Sequence, residues 1–203
     1  MAELLYQALE TEMGGVKVYE KALTCVQNED LREEWEKYLD QTRNHVAIAR
    51  EVCAEMGLDP DYVSPGRRVV LHIGEALLKA MDTAKSGADP RSAEIVAAEC
   101  VVLAESKDHA NWELIGMLAK EGSDEETNGL ENVSEEVEAE EDEHLYHSQG
   151  WARELWRSSL GLRATLPPPE ETEDVKTESE AARVRKASST AKRRSRGRRG
   201  RSR

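Results

Sequence analysis

The chain has 203 residues and a formal net charge of −13; 38% of the residues are hydrophobic, only 4% are aromatic, and Phe is absent. This length suits one domain with a sizeable core plus a tail, and the scarcity of aromatic residues argues against a β-sandwich or β-barrel, so we expect an all-α protein. No apolar run approaches the roughly 18 residues of a membrane helix, and the first residues lack a secretory signal, so we expect a cytoplasmic protein without membrane contact.

The first half of the chain predicts two long helices joined by a short break. From Met1 to about Val26, apolar and small side chains recur near the 3.6-residue period of a helix. From about Leu31 to Met56, the apolar seam advances in steps of 4 and 3 residues until Gly57 ends the helix. This seam predicts that the second helix packs lengthwise against its neighbours.

The second half predicts two more long helices after a longer connection. Residues 58–90 contain a short amphipathic helix, and their number allows the chain to cross the end of a helical bundle. A third helix is predicted from about Arg91 to Lys120, a polar loop from Gly122 to Asn132, and a fourth helix from about Val133 to Leu160. This order is typical of an up-down four-helix bundle with a long crossover.

The C-terminal end differs in composition from the rest. We predict the bundle over 1–163, a Pro-rich acidic linker over 164–180 and a disordered basic tail over 181–203. The tail carries 11 basic residues and no acidic one, so the first 180 residues carry a net charge of −24. Such a tail can neutralise phosphates without reading bases, or it can fold back on the acidic bundle. The predicted nucleic-acid-binding residues are Lys192, Arg193, Arg194, Arg196, Arg198, Arg199, Arg201 and Arg203.

Each long helix carries polar or ionisable side chains inside its apolar seam. An unpaired buried carboxylate is costly, and a bound cation is one way to satisfy several carboxylates at once. On the fourth helix, Glu141 and His144 are three residues apart, a spacing that lets both reach one metal. The other seam positions are Glu12 on the first helix, Thr42 and His45 on the second, and Glu105 and Asp108 on the third.

The two halves of the chain repeat this pattern. Glu12 and Glu105 are each followed, seven residues later, by an aromatic residue. Counting 17 residues from Glu12 to a turn near residue 29, and 17 more along the second helix, leads to residue 46, beside His45. In antiparallel helices Glu12 and His45 should therefore lie at one level.

The second helix carries a resemblance to a known group of proteins. Its residues 35–46 read WEKYLDQTRNHV, and the chain continues to GLDP at 57–60. With the seam residues above, this segment resembles the ferritin-like di-iron carboxylate superfamily, which includes rubrerythrins and bacterioferritins, and looks most like a less characterised bacterial ferritin-like stress-protein family. The resemblance covers about residues 1–163.

The resemblance implies both a fold and a set of ligands. The fold is a ferritin-like up-down four-helix bundle, in which a Glu from each of two helices and a Glu-x-x-His pair from each of the other two bind two metals. In this chain the second helix departs from the pattern, because Thr42 stands where the carboxylate belongs; Thr42 and Asp108 are therefore secondary positions. The implied ligands are Glu12, His45, Glu105, Glu141 and His144.

Two functions follow as hypotheses. The leading one is a metal-binding protein for iron handling or protection against oxidative stress, with ferroxidase or peroxide-reducing activity if the two-metal site is complete. Mixed Glu and His ligation suits iron, manganese or zinc. The alternative is a metal-free helical scaffold, or a protein that associates with DNA through its basic tail. The partners considered are metal ions, nucleic acid bound without sequence preference, and further copies of the chain.

Overall fold

The computed structural model describes residues 1–87, 89–122 and 125–187, with the backbone alone for 125–128. Within these ranges the chain is helical and forms no strand, as the composition predicted. None of the described helices combines the length and the apolar character that a membrane crossing requires.

Five long helices and two short ones follow one another in the described part of the chain. Three of the long helices begin at a polar cap, because the side chains of Asn28, Ser64 and Asp89 each accept a hydrogen bond from a backbone amide of the first turn. The bounds are α1 Ala2–Ala22, α2 Glu29–Glu55, α3 Pro65–Lys85, α4 Pro90–Glu121, α5 Glu125–Ser159, α6 Pro169–Thr172 and α7 178–187.

Two helices are longer than the sequence predicted. The fourth long helix of the prediction, α5, begins at Glu125, inside the segment predicted as a loop through Asn132. That segment is rich in Glu, a good helix former, and this outweighs its isolated Gly and Asn residues. The predicted short helix of the crossover, α3, spans 21 residues and packs against α1 and α4.

Two apolar clusters fix the directions of α1, α2, α4 and α5. The first cluster joins the end of α1 to the start of α2, around Val18, Leu31 and Trp35. The second joins the start of α1 to the end of α2, around Leu5 and Val52. The start of α4 lies in the first cluster and its end in the second, whereas α5 runs the opposite way. Hence α1 is antiparallel to α2, and α4 is antiparallel to α5.

The C-terminal segment packs against α5, where a linker and a disordered tail were predicted. Glu170 is buried and accepts two hydrogen bonds from Arg153, at 2.6 and 2.7 Å. Val175, Ala181 and Val184 form a small apolar cluster with side chains of α5. Of the range predicted as disordered, residues 181–187 are helical and lie against α5, because a few apolar residues and one ion pair within a polar composition are enough to dock the segment. Residues 188–203 lie outside the described part of the chain.

Candidate metal centre

A layer of ionisable side chains lies between the two apolar clusters. It contains four carboxylates and two imidazoles, each at most 3% exposed. α1 and α2 contribute one residue each, and α4 and α5 contribute two each. All five predicted ligands and the secondary position Asp108 are present in this buried cluster, which consists of Glu12, His45, Glu105, Asp108, Glu141 and His144.

The buried cluster contains two groups of three ligands that share one carboxylate. Glu12, His45 and Glu141 form the first group, and Glu105, His144 and Glu141 the second. Within each group one ligand atom per residue lies within 4.8 Å of the others. Glu141 can therefore serve both groups. It can use one carboxylate oxygen for each group, or the same oxygen for both.

The first group is held by hydrogen bonds from α4 and α5. His45 Nδ1 lies 2.9 Å from Glu141 Oε1 and 3.7 Å from Glu12 Oε1. Its other ring nitrogen, Nε2, lies 2.8 Å from Glu140 Oε2. Trp112 Nε1 donates to Glu12 Oε1 at 2.7 Å, which fixes that carboxylate.

The second group is looser around its imidazole. His144 Nδ1 lies 3.4 Å from Glu141 Oε1 and 3.5 Å from Glu105 Oε2, without hydrogen-bond geometry to either. The opposite nitrogen, Nε2, lies 3.1 Å from Gln41 Oε1. The Tyr38 ring packs against the His144 ring, with centroids 4.1 Å apart. The imidazole is therefore held in place while Nδ1 points at two carboxylates.

Several ligand atoms of the buried cluster have no hydrogen-bond partner among the described residues. Native proteins satisfy the large majority of buried polar atoms, so a group of unsatisfied ones in a single layer requires an explanation. A cation between them would provide one, because each is a potential metal ligand. The unpartnered atoms are Glu12 Oε2, Glu105 Oε2, Asp108 Oδ1, Glu141 Oε2 and His144 Nδ1.

Burial and mutual repulsion shift the acidities of the carboxyl groups. Burial and the Glu141 carboxylate raise the pKa of Glu105 to about 7. Burial, with the charges of Asp108 and Glu141, raises the pKa of Glu12 well above its ordinary value. Burial, with the charges of Glu141 and Glu105, likewise raises the pKa of Asp108. Without a cation, the protein therefore holds several of these carboxyl groups protonated.

Glu141 and His144 shift each other's acidity in opposite directions. Burial alone would raise the pKa of Glu141, but the imidazoles of His144 and His45 lower it below its ordinary value. Burial alone would lower the pKa of His144, but the carboxylates of Glu141 and Glu105 raise it to about 10. Glu141 is therefore the carboxylate that stays ionised at the centre of the buried cluster.

Thr42 lies on the buried seam of α2, where the sequence places it. Its hydroxyl donates to the backbone carbonyl of Tyr38 at 2.9 Å, inside its own helix. Its methyl group faces Gly15, at which a Cβ would lie 3.2 Å from Thr42 Cγ2. α1 and α2 thus approach closely here, and α2 supplies an imidazole to the buried cluster but no carboxylate.

Sequence reasoning missed the residues that hold the two imidazoles. Gln41 and Glu140 each precede a ligand histidine by four residues and bind the Nε2 of the other one. Helical residues four apart share a face, so this spacing was the available signal. Of the three other histidines, His72 is exposed on α3, His109 is half-buried on α4, and His147 is buried on α5.

The predicted nucleic-acid-binding residues, Lys192 to Arg203, lie outside the described residues. Comparison of the chain with protein-family models, curated proteins and solved structures finds no match.

Proposed function

We propose that the protein is a ferritin-like four-helix metalloprotein that binds two metal ions in the buried cluster and acts in iron handling or in protection against oxidants. Each metal would have one terminal carboxylate, one imidazole and a share of Glu141. Asp108 is a further carboxylate within the layer and offsets the ligand that α2 lacks. Three protein ligands per metal would leave positions open for water or an oxidant.

The observation that carries the proposal is the set of five unpartnered ligand atoms in one buried layer. Unpaired buried carboxylates destabilise a protein, and a functional site is where such a cost is commonly retained. The competing arrangement is a metal-free bundle in which the carboxyl groups stay protonated. Protonation removes the negative charges of these carboxyl groups, but it gives no reason for two ligand groups to converge on Glu141.

The ligand chemistry suits iron, manganese and zinc, and the proposed reaction with oxidants is the reason to choose iron among them. Carboxylates with one imidazole per metal suit all three ions. Of these, iron supplies one-electron chemistry with oxygen or peroxide when it is bound. The chain's own contribution would be a dry pocket, fixed imidazoles and carboxyl groups that give up protons as metal enters.

Anaerobic titration with Fe²⁺, followed by exposure to oxygen, tests the proposal. We expect two Fe²⁺ ions per chain by elemental analysis, and oxidation faster than in protein-free buffer when the optical absorption of ferric iron is followed. A chain that binds no Fe²⁺, Mn²⁺ or Zn²⁺ would be a metal-free scaffold.

A matched pair of variants separates site binding from general attraction of cations to an acidic protein. Glu12→Gln combined with Glu105→Gln removes both terminal carboxylates while keeping side-chain shape and the acceptor for Trp112. Glu51→Gln combined with Glu136→Gln removes the same charge from exposed positions on α2 and α5. Only the first pair should lose metal, and equal metal content in the two pairs would refute the assignment.

A further inference from the structure

A second group of acidic residues lines a cavity of about 340 Å³ between α2, α5 and the docked C-terminal segment. Lys37 is the one lysine in its described lining, and it forms an ion pair with Glu143. Lys176, outside the lining, lies 3.3 Å from Glu143 and 3.6 Å from Asp174. A cavity with this excess of negative charge attracts cations. The lining carboxylates are Asp30, Glu33, Glu34, Glu143, Glu171 and Asp174.

A buried imidazole without a full set of partners also lines this cavity. His147 is 2% exposed, and its Nδ1 lies 2.7 Å from Glu34 Oε1. A carboxylate accepts hydrogen bonds, so in the neutral imidazole Nδ1 carries the proton and Nε2 a lone pair. His147 Nε2 is buried without a hydrogen-bond partner in the described structure. A histidine held by a carboxylate at one nitrogen and free at the other is the usual arrangement of a metal-binding imidazole.

Glu34 is fixed in its orienting role by two further donors. Tyr38 Oη donates to Glu34 Oε1 at 2.6 Å, and Trp151 Nε1 donates to Glu34 Oε2. With both oxygens engaged, Glu34 is suited to hold His147 in place and is less available as a ligand itself.

Glu171 brings a second unsatisfied atom, an oxygen, to the cavity. It belongs to α6, and its Oε2 is buried with no partner within the described ranges. The Glu171 carboxyl group lies beside Glu34 and Trp151. A cation bound at the free oxygen of Glu171 would therefore also offset the negative charge of Glu34.

We propose that this acidic cavity is a second cation site, at which a hydrated divalent metal ion binds His147 Nε2 and Glu171 while Glu34 orients the imidazole. The volume leaves room for retained water ligands, which small divalent ions keep readily. Tyr38 separates this cavity from the buried cluster, because its hydroxyl contacts Glu34 and its ring packs against His144. The cavity site does not rest on metal in the buried cluster.

Titration of the full-length, metal-free protein with Mn²⁺ tests the proposal, with free hydrated Mn²⁺ followed by electron paramagnetic resonance. His147→Gln and Glu171→Gln should each weaken one class of Mn²⁺ site by roughly tenfold or more, because losing even an outer partner of a ligand typically weakens binding by about 10- to 100-fold. Glu178→Gln removes the same charge from an exposed position of the same segment and should leave every site unchanged. Glu141→Gln should weaken only the sites of the buried cluster.

Two results are decisive. If His147→Gln and Glu171→Gln bind Mn²⁺ as the unaltered chain does, the cavity is not a cation site. If Glu141→Gln retains the Mn²⁺ class that His147→Gln loses, the cavity site stands, even when the proposed two-metal function fails. Glu171→Gln keeps the test valid should His147→Gln fail to fold, because Glu171 lies on the docked segment outside the bundle core.

Discussion

The two halves of the buried cluster have the same frame but unequal ligands. His45 on α2 and His144 on α5 face each other with ring centroids 5.9 Å apart. Three residues before the imidazole, α5 carries Glu141 whereas α2 carries Thr42. One carboxylate therefore lies within reach of both imidazoles, and the symmetry of the helices is kept although the symmetry of the ligands is not.

The supports of the two imidazoles differ in charge. His45 Nε2 contacts the carboxylate of Glu140, whereas His144 Nε2 contacts the neutral amide of Gln41. A carboxylate forms a stronger, charge-assisted hydrogen bond than an amide does. In each half, the helix opposite the histidine therefore determines how firmly that histidine is held.

Glu141→Ala should produce the largest loss, because this carboxylate belongs to both ligand groups. We expect nearly all bound metal to disappear from both halves in elemental analysis after metal loading. Glu136→Ala, at an exposed position of the same helix, is the control and should retain full metal content. In a chain that also carries His147→Gln, which removes the proposed cavity site, one metal ion left per chain would show that Glu141 serves only one half.

His45→Ala and His144→Ala should each remove about half of the bound metal, because each imidazole belongs to one group only. Elemental analysis of the two variants beside the unaltered chain measures this directly. Complete loss in either variant would mean that the two metals bind only together, and the comparison of separate halves would then fail.

The residue register explains why much of this site could be predicted from sequence. Seam spacing placed Glu141 and His144 on one face of a helix, and counting along antiparallel helices brought Glu12 to the level of His45. Both steps use only helix periodicity and the position of one turn. The ligand set came partly from family resemblance, which the geometry of the described residues neither requires nor contradicts.

Contacts between distant segments were beyond the sequence. The bond between Glu140 and His45 joins residues 95 apart, and nothing local distinguishes Glu140 from the other acidic residues of α5. Docking of 169–187 depends on the pairing of Glu170 with Arg153 and on three small apolar contacts. The overall composition of such a segment is polar, so it gives no indication of the few residues that dock it.

Metal binding at neutral pH should release protons. Glu105, with a pKa raised to about 7, is partly protonated at that pH, and His144, with a pKa raised to about 10, is mostly protonated. A metal needs both groups deprotonated, so affinity should rise as pH increases from about 7 towards 10. Calorimetric titration in buffers of different ionisation enthalpy counts the protons released per metal bound, and metal binding without proton release at neutral pH would contradict the assignment.

Thr42→Glu should make the two halves more alike by supplying a carboxylate from α2. Gly15 has no side chain where α1 passes close to Thr42, so the longer group has to extend past Gly15 rather than towards it. We expect tighter binding in the half that contains His45, measured by metal titration. Thr42→Ala should change metal content little, because the Thr42 hydroxyl already donates to the Tyr38 carbonyl. An unchanged titration in Thr42→Glu would mean that water or Asp108 already fills this position.

Exchange of the two supporting residues should give the smallest effect, and it tests the comparison most directly. Glu140→Gln leaves His45 with a neutral acceptor, whereas Gln41→Glu gives His144 a charged one, so the two changes should shift metal affinity in opposite directions. Loss of such an outer contact can weaken metal binding by roughly 10- to 100-fold, but the Glu140 side chain is 38% exposed and solvent screens its charge. In metal titrations of the single variants we therefore expect metal affinity to change by about tenfold or less, the lower limit of this range. The double variant Gln41→Glu with Glu140→Gln should reverse the order of metal affinity between the two halves. If the original order persists, the terminal carboxylates Glu12 and Glu105, rather than the residues that hold the imidazoles, distinguish the two halves.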